Sequence, residues 1–259
     1  MRLLQVVCVA LATFGFCYSA PAQERIGIVL MHGKDGLPGQ LTPLADALTA
    51  AGFAVERPDM CWSRHRIYDR SYVDCLRDAD DAADKLKAAG ATGIVIAGVD
   101  LGGNAAIAYG ARRDGLKGVV AIGPALPIEF LSRSPEIGKS LARAQEMIAA
   151  GHGDRKAIFA DVQLGRVFEV ETTANIYVSF VAPDSPGVMP DNAAKLKAPL
   201  LAMSGVFDPR QRSVAYVFAR APSNPHNWHL TVPADPAGTV ALAREVVPVW
   251  LKLIASPAP

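Results

Sequence analysis

Gly93-Ile94-Val95-Ile96-Ala97-Gly98-Val99-Asp100-Leu101-Gly102-Gly103-Asn104 decides how the rest of the chain is read. The apolar run from Gly93 to Ala97 has the pattern of a buried strand, and the small residues after Asn104 have that of a helix. Between them lies a Gly-x-Asp-x-Gly turn. Glycine on both flanks lets the backbone turn sharply and drives the middle side chain into a cleft. In most sequences of this strand–turn–helix shape the middle residue is Ser; here it is a carboxylate. Whether the chain is an enzyme therefore turns on what Asp100 can do.

Outward from this turn, short apolar runs alternate with helical patterns, the signature of a parallel sheet wrapped by helices. Strands are predicted over residues 26–31, 54–57, 93–97, 118–122, 200–204 and 228–232. Helices are predicted over 43–51, 72–89, 104–112, 137–150, 212–219 and 238–254. In the second helix Val73, Leu76, Ala79, Ala83 and Leu86 form an apolar stripe opposite acids and lysines, as in a helix lying on a sheet. Residues 124–190 are too long for an ordinary connection between two strands. They hold one predicted helix, the break Gly151-His152-Gly153 and a Pro-rich stretch from Pro183 to Pro190, and read as a cap-like insertion near 125–190 over the C-terminal edge of the sheet.

The chain has 259 residues, enough for one large α/β domain. Arg2 followed by an uncharged apolar stretch to Cys17 and by Ala20-Pro21-Ala22 reads as a signal peptide over residues 1–22, leaving a mature domain over 23–259. The stretch is short for a membrane span, and Phe16 before Cys17 argues against lipid attachment. A mature chain would carry 25 basic and 25 acidic side chains. That balance gives no support for nucleic-acid binding or for electrostatic attachment to a membrane. The expected location is periplasmic or secreted. Two cysteines remain after cleavage, Cys61 and Cys75: either a disulfide closing a loop of about 15 residues, worth about 3 kcal/mol, or two unrelated buried thiols. No metal-ligand spacing and no phosphate-cradling loop occurs, so no metal and no cofactor is expected.

Order along the chain carries the chemistry. A first strand ends in His32-Gly33-Lys34-Asp35-Gly36, the elbow follows, a later strand ends near Asp208, and the last ends at Asp235-Pro236-Ala237-Gly238. With Met60-Cys61-Trp62-Ser63 and Tyr68-Asp69-Arg70-Ser71-Tyr72, this layout resembles exported bacterial α/β-hydrolases over nearly all of Glu24 to the C-terminus. The resemblance implies an α/β-hydrolase fold with nucleophile, acid and histidine on strand-end loops in that order. Asp100 falls on the nucleophile position and Asp208 on the acid position. Pro236, with Asp235 beside it, falls on the histidine position. The oxyanion hole is implied to come from the backbone N–H groups of Leu101 and Lys34, which do not depend on side-chain identity.

Two of the three triad positions thus lack the required group. Serine-type acyl transfer needs a hydroxyl and an imidazole, and Asp100 and Pro236 supply neither. In the resembling dehalogenases and epoxide hydrolases an elbow Asp attacks carbon to form an ester, which a histidine-activated water then cleaves. That family usually follows the Asp with a large residue such as Trp, whereas Leu101 stands here. Of the remaining histidines, His32 is read as a mouth residue able to contact Asp100 or as a loop residue holding the oxyanion backbone. His65 with Trp62 and Arg64 is read as rim, and His152 as part of the cap. Asp100 itself is expected to pair with Lys34 or to accept from the oxyanion donors. The reading is a degenerate hydrolase retaining a pocket for a small apolar or acyl ligand. Its alternatives are an active ester, haloalkane or epoxide hydrolase using Asp100, or a partner-binding protein with a collapsed pocket.

Overall fold

Strand β1 (Ile26–Met31) is fully buried and enters the sheet between β2 (Ala54–Glu56) and β3 (Gly93–Val99). With β4 (Leu116–Ile122), β7 (Leu200–Gly205) and β8 (Trp228–Val232) they form a six-stranded sheet in the order β2-β1-β3-β4-β7-β8, every pairing parallel. The computed structural model describes residues 24–125, 128–131, 133–163, 165–209 and 211–255, without the side chains of Glu129 and Phe130. The predicted signal peptide lies outside the described residues.

Apolar residues alternate between the two faces because successive strand side chains point opposite ways. On β3, Val95 and Ala97 join the core under α1 (Thr42–Ala50) and α9 (Pro236–Ala255). Ile94 and Ile96 join the core under α2 (Tyr72–Ala88) and α3 (Leu101–Gly110). Both faces are covered, which is why these strands read as near-continuous apolar runs. Helix α3 is buried over its whole length, so its sequence shows no polar face. On α2, Ser71 caps the N-terminus by accepting from Asp74 N–H, and Lys85 and Lys87 sit in the last turn, where cations favour the helix dipole. Its buried stripe is Tyr72, Cys75, Leu76, Ala79, Ala83 and Leu86; Val73, expected on that stripe, is exposed.

The insertion holds more structure than the single helix expected. It contains α4 (Ile128–Leu131), α5 (Pro135–Ala149), the antiparallel hairpin β5 (Lys156–Gln163)–β6 (Arg166–Thr173), α6 (Ala174–Val181) and α7 (Met189–Ala193). Helix α8 (Gln211–Arg220) then separates β7 from β8. Cys61 and Cys75 form a disulfide with Cα atoms 5.5 Å apart, ordinary bridging geometry, which ties the 57–71 loop to α2. Among the described residues no helix is long and apolar enough to cross a membrane.

Candidate active site

Asp100 closes β3 and opens α3 at φ 56°, ψ −121°, a region that non-glycine residues reach only under strain. Three backbone hydrogen bonds hold it there. Its N–H donates to Ile122 O, and its carbonyl accepts from Asn104 N–H and Ala125 N–H, each at 3.1 Å. The flanking glycines permit close approach. A Cβ on Gly98 would overlap the Gly102 carbonyl, and one on Gly102 would strike the backbone of Met31 and His32. The elbow is therefore pressed against the end of β1, the neighbouring strand. Asp35, Ile67 and Tyr68, the other described non-glycine residues with positive φ, all lie in loops around this point.

The loop after β1 presents its backbone to the elbow. Lys34 N–H donates to Asp100 Oδ2 at 3.0 Å. This amide is one of the two expected oxyanion donors, and it already holds a carboxylate oxygen. The other, Leu101 N–H, is the first amide of α3 and has no carbonyl partner within its own helix.

The Lys34 side chain does not pair with Asp100, as one expectation had it. It turns away to Asp161 Oδ1 on β5 at 2.7 Å and to Val162 O at 3.0 Å, with both ionised side chains almost fully buried. Tyr68 OH donates to the other Asp161 oxygen at 2.8 Å. Burial, with Asp161 beside it, holds the Tyr68 phenol well above the ordinary tyrosine range, so it stays a donor. Gln163 Nε2 donates to Lys34 O at 2.8 Å and Thr172 Oγ1 to Tyr68 O at 2.8 Å, so both hairpin strands are fastened to the site loops. Sequence reading missed Asp161, Tyr68 and Gln163 in this role. A lone acid within an apolar strand pattern was the one available signal.

His32 takes the second of its two readings, a loop residue that holds the backbone around Lys34, and Trp62, expected at the rim, lies behind the wall. His32 is fully buried; its Nε2 accepts from Met60 N–H at 3.1 Å, which leaves the proton on Nδ1, donated to Gly33 O at 2.8 Å. Burial lowers its pKa, consistent with this neutral tautomer. Trp62 is also buried, and its Nε1 donates to His32 O at 3.0 Å. Both brace the oxyanion loop from beneath. Arg64, from the same segment, does reach the rim.

At the opposite edge, Asp208 is buried in the turn after β7; its N–H donates to Gly205 O and its carbonyl accepts from Gln211 N–H at the start of α8. Phe207 N–H donates to Ala234 O, bringing the β7 and β8 loops together. The segment expected to carry the histidine is a helix start. Asp235 accepts from Gly238 N–H at 2.7 Å, and Pro236 is the first residue of α9. Asp before Pro at that point is a strong N-terminal signature, since proline lacks the amide the first turn would leave unpaired.

A cavity of about 490 Å³ lies between these edges, within the range of small-molecule sites. Asp100, Lys34, Gln163 and Pro236 line it, with Leu41, Val99, Ile122 and Val240 as apolar walls; no described lining residue is a histidine. His65 and His152 are exposed in loops, and His226 precedes β8 at the far end of the sheet. His229 stacks on Phe218, and its Nε2 is buried with no hydrogen-bond partner among the described residues. Asp208 is not among the described lining residues.

A family model described as serine aminopeptidase, S33, matches residues 22–157. That span includes the oxyanion loop and the elbow and ends before positions 208 and 236. No curated protein sequence matches the chain. Among solved structures, Est1E from Butyrivibrio proteoclasticus is 20% identical, with 90% of this chain and 89% of that chain covered and a TM-score of 0.64. A carboxyl esterase from Bacillus coagulans is 15% identical, with 91% and 92% covered and a TM-score of 0.66. A monoacylglycerol lipase from Paleococcus ferrophilus is 19% identical, with 86% and 94% covered and a TM-score of 0.62. Likeness at such identities speaks for the fold. With that fold, and a family match spanning just over half of its length, the chain belongs to the serine aminopeptidase, S33, family of α/β-hydrolases.

Proposed function

We propose that this chain is an exported α/β-hydrolase-like protein that does not perform serine-type acyl transfer and instead holds a small apolar or acyl-type ligand in its cavity. The observation that carries this reading is the hydrogen bond from Lys34 N–H to Asp100 Oδ2. In acyl transfer that amide must receive the oxygen on which charge develops. Here a side-chain oxygen of the protein occupies it, while the residue that should attack has no hydroxyl. The base position carries Pro236, and the neighbouring Asp235 carboxylate is engaged in capping α9. Loss of such groups costs several powers of ten in rate. The size and apolar walls of the cavity support a binding role over a collapsed pocket. Export is supported by the N-terminal sequence pattern and by the Cys61–Cys75 disulfide, which suits an oxidising compartment.

One observation favours a second reading: Asp100 keeps the strained elbow conformation on the cavity wall. From there its carboxylate could attack a haloalkane or epoxide carbon, although the resulting ester would lack a histidine to hydrolyse it. The purified chain is to be offered short-chain p-nitrophenyl esters, haloalkanes and epoxides, with Asp100→Asn as control. No turnover above buffer is the expected result. Turnover that disappears in Asp100→Asn would replace the binding reading with the aspartate-nucleophile one.

A further inference from the structure

The β5–β6 hairpin has two outer edges, and the fold treats them differently. Along β5 the outward backbone groups are taken. Ala160 N–H donates to Ser140 Oγ, and the carbonyls of Ile158, Ala160 and Val162 accept from Arg143, Tyr177 OH and the Lys34 ammonium. In an antiparallel pair, residues whose groups point outward on one strand stand opposite residues that do the same on the other. The register sets Ile158, Ala160 and Val162 against Glu171, Glu169 and Val167. The N–H and C=O groups of these three β6 residues therefore point away from the hairpin. No described residue bonds to them on that side. Such an open row is a template for one more strand.

The open edge runs beside a groove of about 420 Å³ whose other side is Arg66 to Asp69. Side chains alternate along it. Glu169 and Glu171 are exposed on the outer face, whereas Val170 between them is buried and lines the groove with Ile67 and Ile176. Neither glutamate has an ion pair among the described residues, while Arg66 is taken up by Asp69 and Asp78. Lys156 stands at the far end, level with Thr173. A second copy of β6 is a poor occupant: the antiparallel pairing that overlaps all three residues sets Glu169 against itself, like charge on like. We infer that this edge takes an extended segment of another protein in which two cations flank an apolar residue. The cations stand opposite Glu169 and Glu171, and the residue between them falls on the Val170 side. The site shares no described lining residue with the Asp100 cavity and does not depend on what that cavity holds.

The test titrates the full protein into a fluorescently labelled peptide, Thr-Lys-Val-Lys-Thr, and reads polarisation. Saturable binding is expected, and none when both lysines of the peptide are replaced by glutamate. Glu169→Gln combined with Glu171→Gln should weaken binding by about fivefold. Glu169→Pro should abolish it, because proline removes an outward N–H that the hairpin's own ladder does not use; circular dichroism and thermal melting check that this variant folds. A peptide N-methylated at its three central residues keeps its charges, loses those donors and should not bind. Equal binding of the methylated peptide, or unchanged binding to Glu169→Pro, would show charge attraction without strand addition and overturn the inference. Unchanged affinity in the double glutamine variant would overturn the assigned partner chemistry, and failure of the lysine peptide to bind would overturn the site. Dimerisation of the protein in sedimentation runs, lost in Glu169→Pro, would give the edge to a second copy and overturn the inference as well.

Discussion

The two edges of the cavity are built by different means. On the elbow side, geometry comes from the backbone: glycines at 98 and 102, a strained residue 100, and amides at Lys34 and Leu101. On the β7–β8 side it depends on which side chain stands at 208 and at 236. The backbone-made edge has the strained elbow and close-packed glycines expected of it, whereas the edge where the resemblance implies an imidazole is a helix start made by Asp235 and Pro236. An oxyanion cradle and an elbow therefore report ancestry of shape, and only the side-chain edge reports chemistry. On the function proposed above, a pocket with the first and without the second holds a molecule rather than cutting it.

The contrast should appear in stability measurements. The largest effect is expected for Gly98→Ala, whose new methyl meets the Gly102 backbone rather than a movable side chain. A loss of at least about 4 kcal/mol, or failure to accumulate folded protein, is expected by urea denaturation. A loss below about 1 kcal/mol would mean that the elbow is less tightly packed than described. Next is the buried pair that fastens the hairpin to the oxyanion loop. Asp161→Ala or Lys34→Ala should cost about 3–5 kcal/mol, because each strands a buried charge. Lys34→Met combined with Asp161→Leu should recover most of that loss; an additive loss in the double variant would rule out the pair as the cause.

Smaller effects come from the histidines. Burial lowers the pKa of both His32 and His229, so the folded state binds fewer protons than the unfolded chain. Their contribution to stability is complete above the ordinary histidine value of about 6.5 and is lost as pH falls below it toward the folded values. The slope is at most about 1.4 kcal/mol per pH unit for each imidazole. Replacing His229 with Phe removes a buried nitrogen without a partner and keeps the stacking on Phe218. The variant should be at least as stable as wild type near neutrality and should show a shallower acid limb in melts recorded from pH 7 to 5. The smallest change is at the helix start, where Asp235→Ala removes one capping bond and should cost about 1 kcal/mol in the same assay.

How much the sequence reveals follows the same division. All six strands of the main sheet were legible because parallel strands buried on both faces are continuous apolar runs. The ends of α3 were less so: the expected start at Asn104 fell three residues late, since the glycines at 102 and 103 mask a helix that is buried on every side. The hairpin was missed although Val167, Glu169 and Glu171 alternate with Phe168 and Val170. Its charged outward face, just after the Gly151-His152-Gly153 break, resembled surface loop. The elbow could be located from order along the chain, and the last helix was expected from 238, two residues after its start at Pro236. The Lys34–Asp161 pair could not, because its members are 127 residues apart and only the folded cap brings them together. Trp62 was misplaced for a related reason: motif position put it at the rim, but its ring lies buried under the loop and bonds His32 O, while His32 holds the loop as one of its two readings had it.

On the proposed function, Asp100 occupies the Lys34 amide and does not attack. Intact-mass spectrometry after prolonged incubation with excess haloalkane or epoxide tests this even where turnover is nil, since an ester on Asp100 would accumulate for want of a base to cleave it. An unchanged mass is expected. An adduct mapped by proteolysis to Asp100, and absent in Asp100→Asn, would contradict it.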